Sequence, residues 1–501
     1  MLRPLTLVLA TVLTLTTQVR EPVDAAANAK IRDEGLNRSQ VGALFGSLVD
    51  GIGPRLAGSP EYKRAADWAR DQMTKWGLDH PRLEAFEFGR GWTLDKFTIE
   101  MVEPRYMPLL GYPEAWSPST SGEVLAPVTV VAGKTAADVA AMPLKGAAVL
   151  QAGLVTNFIA TDRVQPATEP DAPVTTPAPA RQGGAAQPAG QPAAAGRGRQ
   201  GAAGGPTVDQ TIRAGGAAVL IKPSRGLHGT VFVQAGRDNP ADTLPKIVLA
   251  GEHYNMLVRM AQQGIAVKLR VNLQARFLDT DRNSYNVIAE LPGSDPALRD
   301  QVVMLGAHLD SWHTATGATD NADAVAAVLE AFRILKATGL QPKRTLRLAL
   351  WGAEEEGLLG SKAWVNAHLA GDAHKRDRDN LAVYLNLDPG AGPVYGWYLE
   401  QNDDAKPIFD AWMAPFKDLG ALKNVRQGIG NTDHLSFIAA GVPGFNAIQD
   451  YVDYDVREHH TNADTAERVK EADLKQNAIV LASVIYHAAM RTDMIPSGVR
   501  K

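Results

Sequence analysis

The stretch that most constrains this chain runs from Val302 to Leu335, VVMLGAHLDSWHTATGATDNADAVAAVLEAFRIL. An apolar run (Val302, Val303, Met304, Leu305) ends in small residues and then in His308-Leu309-Asp310. A Gly/Thr-rich loop follows and delivers Asp320 at the mouth of a helix. There Val325, Val328, Leu329, Phe332 and Leu335 repeat at the three-and-four spacing of one buried face. The unit reads as a buried strand, a loop and a packed helix. The carboxyl end of such a strand is where open α/β sheets place their chemistry. One imidazole and two carboxylates there form a ligand set for a borderline divalent cation.

From Ser284 onward the same alternation recurs: strands over Asn286–Glu290, Val302–Leu305, Arg344–Trp351, Leu381–Leu387 and Val442–Ala447, with helices between them. A closing amphipathic helix covers Leu474–Met490. The expected fold class is therefore α/β, a mainly parallel twisted sheet with helices on both faces. Upstream, Ser39 to Trp76 is helical about a Gly/Pro turn, and Leu83 to Val102 alternates as strands do. Between residues 119 and 278 short β-like runs alternate with Gly, Pro and Thr, which reads as an inserted, mostly β module. Inside it, residues 164–206 are rich in Pro, Ala, Gly and Gln and poor in large apolar side chains, the composition of a disordered loop. The expected division is a signal peptide over 1–27, a first part of the main domain over 28–118, the insert over 119–278, and the second part over 279–501.

With 501 residues, two or more domains are expected, and 45% apolar against 21% charged residues is an ordinary globular balance. A net charge of -4 with interspersed signs leaves no basic footprint for nucleic acid. There is no cysteine, so thiolate nucleophiles, disulfides and Cys-based metal sites are excluded, and a metal must be held by His, Asp and Glu. Arg3 followed by the apolar run Leu5 to Thr17 reads as a secretory signal, too short to span a bilayer. An uncleaved amino-terminal anchor is the alternative. The expected location is secreted or periplasmic.

Three strands of the second half end in acidic or imidazole groups: His308/Asp310, Glu354/Glu355 and Asp388. Another is followed by a loop holding His459-His460. Singly, such pairs are more often solvated surface groups; their shared placement at strand ends makes them converge on one crevice. Two divalent cations ~3.5–4 Å apart need a bridging carboxylate, further one-ended ligands and a shared water. His308, Asp320, Glu355, Asp388 and His460 supply such a set, and of the adjacent glutamates one can bind metal while the other accepts a proton.

The ordered strings AHLDSW, GATDN, WGAEEEGLLGS, LNLDPG and HHTNADT resemble the successive motifs of the M28 family of co-catalytic zinc exopeptidases. GPRLAGS, PKRTLRLALW and NTDHLSFIAAGVPG are most similar to its carboxypeptidase Q branch. The resemblance spans about Leu44 to Met490 and implies the following roles. Asp320 bridges two Zn²⁺ ions (Co²⁺ or Mn²⁺ as substitutes), His308 with Asp388 completes one shell, and Glu355 with His460 the other. Glu354 is the general base, and Asp310 is a carboxylate that orients His308. The insert becomes a protease-associated domain, and a homodimer is a further implication.

The resemblance also implies a peptide substrate and hydrolysis of dipeptides or short peptides. Relatives place a tyrosine where His459 stands, so His459 is a candidate for holding the oxyanion, with packing as the other reading. Asp433 and His434 are candidate substrate contacts, and His313 reads as a loop residue. The motifs do not separate a carboxypeptidase-type dipeptidase from an aminopeptidase. A single-zinc glutaminyl-cyclase-like acyltransferase and a receptor-like relative with a dismantled site are further alternatives, opposed by the complete ligand set.

Overall fold

The computed structural model describes residues 21–166, 206–235, 243–421 and 423–498. Most of the signal expectation and of the low-complexity loop therefore lies outside the described residues. Among residues 21–27, Asp24 caps a helix, Ala25–Asn37, and Ala27 is buried.

The half that carries His308 and Asp320 is organised by an eight-stranded sheet. Its strands in chain order are β1 (Asp79–Glu87), β2 (Asn283–Leu291), β3 (Val302–His308), β4 (Thr345–Trp351), β5 (Leu381–Asn386), β6 (Ala391–Tyr398), β7 (Lys423–Val425) and β8 (Gly444–Asp450). In space they run β1-β2-β4-β3-β5-β8-β6-β7. The four central strands, β4, β3, β5 and β8, are parallel, with Leu305 opposite both Leu348 and Leu385, and Leu385 opposite Phe445. The flanks turn antiparallel at β1–β2, β2–β4 and β8–β6.

Period-two alternation sorts the central side chains between two layers. Val303, Leu305, Leu348 and Leu385 share a core with helices Asp323–Thr338 and Glu471–Met490. Met304, Ala349, Trp351 and Tyr384 pack with Trp364 and Phe437 on the other face. Both faces being covered is why these strands read as unbroken apolar runs rather than alternating ones.

The second module is built on its own eight-stranded sheet and carries helices Val208–Ala214 and Gly251–Gln262. One correction follows. The expected boundary at residue 119 cuts through this sheet, because strand Gly91–Glu103 belongs to it. That strand pairs antiparallel with Lys268–Leu278 from Gly91↔Leu278 to Glu103↔Lys268. The alternation of Phe97, Ile99 and Met101 announces a strand but says nothing about which sheet receives it, since the partner is far along the chain. Within the module, Val124–Val130, Ala148–Leu150, Val219–Pro223 and Lys246–Leu249 are joined in parallel. It leaves the main sheet after β1 and returns at β2, two strands that pair with each other.

Candidate metal centre

His308 is the last residue of β3 and is buried at 1% exposure. Its Nδ1 meets the Asp310 backbone carbonyl at 3.0 Å, so when that nitrogen carries the proton Nε2 is free to bind. The loop beyond is held by Arg55, which is fully buried. Its guanidinium donates to the carbonyls of Leu309 (2.8 Å), Gly53 (3.1 Å), Thr316 (2.8 Å) and Gly317 (2.8 Å). Gly317 sits at φ 59, and a Cβ there would lie 2.4 Å from the Ser311 side chain, so this turn requires glycine.

Asp320 closes the loop. Asp464 fixes it by accepting from the Thr319 amide (2.7 Å), the Thr319 hydroxyl (2.9 Å) and the Asp320 amide (3.2 Å). Asp388 follows β5 directly.

Glu354 and Glu355 occupy the turn after β4. Gly352 begins it where a Cβ would lie 2.2 Å from the Tyr62 hydroxyl. The Asp310 carboxylate accepts from the amides of both glutamates, at 3.1 and 3.2 Å. It lies 3.7 Å from His308 Nδ1. Asp310 thus clamps the glutamate turn with its carboxylate and orients His308 more closely through its backbone oxygen. His460 comes from a distant loop and adopts φ 61, an uncommon conformation for a residue with a Cβ.

These side chains converge. His308 Nε2 lies 3.2 Å from Asp320 Oδ1 and 3.8 Å from Asp388 Oδ1. His460 Nε2 lies 3.3 Å from Asp320 Oδ2 and 2.8 Å from Glu355 Oε2. Each oxygen of Asp320 therefore faces a different imidazole. The coordinating atoms of His308, Asp320 and Asp388 fall within 4.8 Å of one another, as do those of Asp320, His459 and His460. Trp312 Nε1 donates to Glu355 Oε2 at 2.8 Å, while Glu355 Oε1 is buried without a hydrogen-bond partner. A narrow cleft with room for about one water opens beside Asp320, Glu355 and His460, walled by Trp312, Thr314 and Thr461.

The electrostatics follow from crowding carboxylates in a dry site. Burial, with Asp320 adding to it, pushes Glu355 up to about 7. Burial also raises Glu354 well above the usual carboxylate range, reinforced by Asp388 and Asp433 and opposed by His308. Burial disfavours a charged His460, but Glu355 and Asp320 overcome it and push the imidazole up to about 10. Burial lowers Arg55 to about 10, against the pull of Asp464 and Asp310, so it remains charged at neutral pH. A buried excess of negative charge calls for cations, and oxygen and imidazole donors facing one carboxylate suit a pair of them.

The expected substrate contacts separate. His459 lies beside the centre, its ring 3.6 Å from that of His460 and 5.3 Å from Tyr454. Burial, aided by His460, pushes it down to about 3, so it is neutral. Asp433 and His434 are fully buried and do not line the cavity, and His434 Nε2 pairs with Glu400 at 3.1 Å. His313 is a bridge to the second module, its Nε2 meeting the Pro113 carbonyl at 2.9 Å. Arg55, Trp312 and Asp464 were not singled out from sequence, although each stands inside a motif string used for the resemblance.

Residues 286–485 match the model of Peptidase family M28, an interval that holds every converging side chain from His308 to His460. Carboxypeptidase Q of Bos taurus is 28% identical over 451 residues, covering 90% of this chain and 85% of that protein. A peptidase M28 precursor from Shewanella amazonensis has a similar fold, with TM-score 0.66 and 23% identity over 94% of this chain and 98% of that one. A zinc aminopeptidase from Bacillus subtilis does so with TM-score 0.59 and 19% identity over 91% and 96%. Residues 286–485 thus match peptidase family M28, and the chain is a metallopeptidase.

Proposed function

We propose that this protein is a two-zinc exopeptidase of the carboxypeptidase Q kind, hydrolysing dipeptides or short peptides after export. The observation that carries this reading is the division of Asp320, one oxygen 3.2 Å from His308 and the other 3.3 Å from His460. His308 with Asp388 would hold one ion, Glu355 with His460 the other, and Asp320 both. Bound there, zinc supplies Lewis-acid polarisation of the scissile carbonyl and a lowered pKa for the attacking water.

The protein's own groups do the rest. Glu354, buried and held by the bond from its amide to Asp310, takes the proton from the water and returns it to the leaving amine. Asp310 keeps Glu354 and Glu355 in place through their amides. His459, held neutral, donates toward the developing oxyanion. Among the described residues no helix is long and apolar enough to cross a membrane.

The test is an assay on dipeptides with free, amino-blocked and carboxyl-blocked ends, before and after chelation and zinc restoration. Hydrolysis that needs a free carboxylate and returns with zinc is expected. Full activity after complete metal removal would refute the mechanism. Tolerance of a blocked carboxylate with rejection of a blocked amine would make the enzyme an aminopeptidase.

A further inference from the structure

The two imidazoles of the centre are oriented by different kinds of partner. His308 is locked from within its own loop, by the backbone carbonyl two residues on. His460 is met at Nδ1 by the side-chain amide of Gln234, which belongs to the second module and stands 226 residues away along the chain.

Gln234 is not an isolated contact. The three residues before it lie along the segment that carries His460. Val233 N–H donates to the His460 carbonyl at 3.1 Å, Phe232 bridges to Thr461, and Val231 N–H donates to Asn462 Oδ1 at 2.7 Å. These contacts hold the backbone of His460 at its φ of 61. Beyond them, a glutamine amide meets Nδ1 in either tautomer, through its NH₂ when the nitrogen is bare and through its carbonyl when the nitrogen carries the proton. The Gln234 Nε2 faces Nδ1; with the amide turned to present its oxygen, Nδ1 carries the proton and the His460 Nε2, directed at Asp320 and Glu355, is left free for a cation.

We propose that Gln234 is a positioning residue for His460, so that the second module supplies the side chain that orients one imidazole of the centre, whereas His308 is oriented from within its own loop. This rests on the reading of His460 as a ligand. Orienting partners of this kind change metal affinity by about 10- to 100-fold.

The experiment is a competitive chelator titration of the full-length apoprotein with Zn²⁺, run on wild type, Gln234→Met, Gln234→Glu and His460→Ala, with thermal unfolding of each apo form. The expected result for Gln234→Met is two sites, one at wild-type affinity and one weakened 10- to 100-fold, with unchanged apo unfolding. Gln234→Glu, which retains the accepting oxygen, should restore the second site. Nitrogen chemical shifts of the His460 ring should report a mixed tautomer in Gln234→Met and a single one in wild type. Wild-type affinity at both sites in Gln234→Met would overturn the proposal. Unchanged binding in His460→Ala would instead remove the ligand reading, and the proposal with it.

Discussion

The two halves of the proposed metal centre are built by opposite means. His308 ends an interior parallel strand, flanked on both sides by neighbours in register, and is 1% exposed. His460 sits in a loop, at a left-handed backbone position, with 15% of its side chain exposed. That loop is braced from the second module. Asp162 accepts the amides of Asp453 and Val456 at 2.9 and 3.0 Å, and Arg163 pairs with Asp455 while stacking over Tyr451 and Tyr454. One half is thus as rigid as the sheet; the other is only as well placed as an interface between two modules. The shared groups are Asp320, which faces both, and Asp310, which joins the His308 loop to the glutamate turn.

The largest expected effect lies between the halves. Glu354→Gln should lower kcat by about 10²- to 10⁴-fold while both metals still bind, because the proton carrier is lost and no proposed ligand is. Near-wild-type kcat in a metal-loaded variant would remove Glu354 from its role. Asp310→Ala should weaken metal binding by about 10- to 100-fold in the half that holds Glu355, as it frees the glutamate turn while the backbone oxygen that orients His308 remains. An equal loss at both sites would show that the carboxylate orients His308 as well.

Arg163→Ala should act on one half alone. Burial raises the Asp455 carboxyl, but the hydrogen bonds and charge of Arg163 prevail and hold it below the usual range. Removing the partner should cost about 2 kcal/mol locally. Amide exchange should rise across residues 450–462 and stay unchanged across 302–310, as mass spectrometry would read. Equal loosening of both segments would contradict the division drawn above.

The smallest effect is a control remote from either half. His487 Nε2 accepts the Asp24 amide at 2.9 Å, and its Nδ1 meets the Ser483 carbonyl at 2.8 Å. Burial lowers the pKa of this imidazole. A histidine whose folded pKa lies below its unfolded value contributes stability that is present above about 6.5 and lost as pH falls through the folded pKa. Acidification should therefore loosen helix Ala25–Asn37, at a cost of about 1 kcal/mol. His487→Asn should flatten that pH dependence in exchange measurements on residues 24–37.

Much of the catalytic half was legible from residue order alone, and the reason is local. Apolar runs of strand length, helices with a buried stripe, and polar residues placed where each strand stops are properties of consecutive residues. They placed His308, Asp320, Glu355, Asp388 and His460 at the right ends of the right elements. The helix Ala25–Asn37 was hidden by its resemblance to a cleavage region, and β6 and β7 by the absence of a distinct apolar pattern.

What only the tertiary structure decided is what those elements meet. Strand Gly91–Glu103 joins the second sheet because its partner is Lys268–Leu278. Asp433 and His434 are sealed beneath the surface rather than opened to the cavity. Arg55 and Asp464 act through backbone groups of a loop far from each in sequence. So too the feature that most constrained the chain, the strand-loop-helix unit from Val302 to Leu335, foretold its own half of the centre. The other half depends on contacts such as Gln234 with His460, and no periodicity of neighbouring residues encodes a contact across 226 positions.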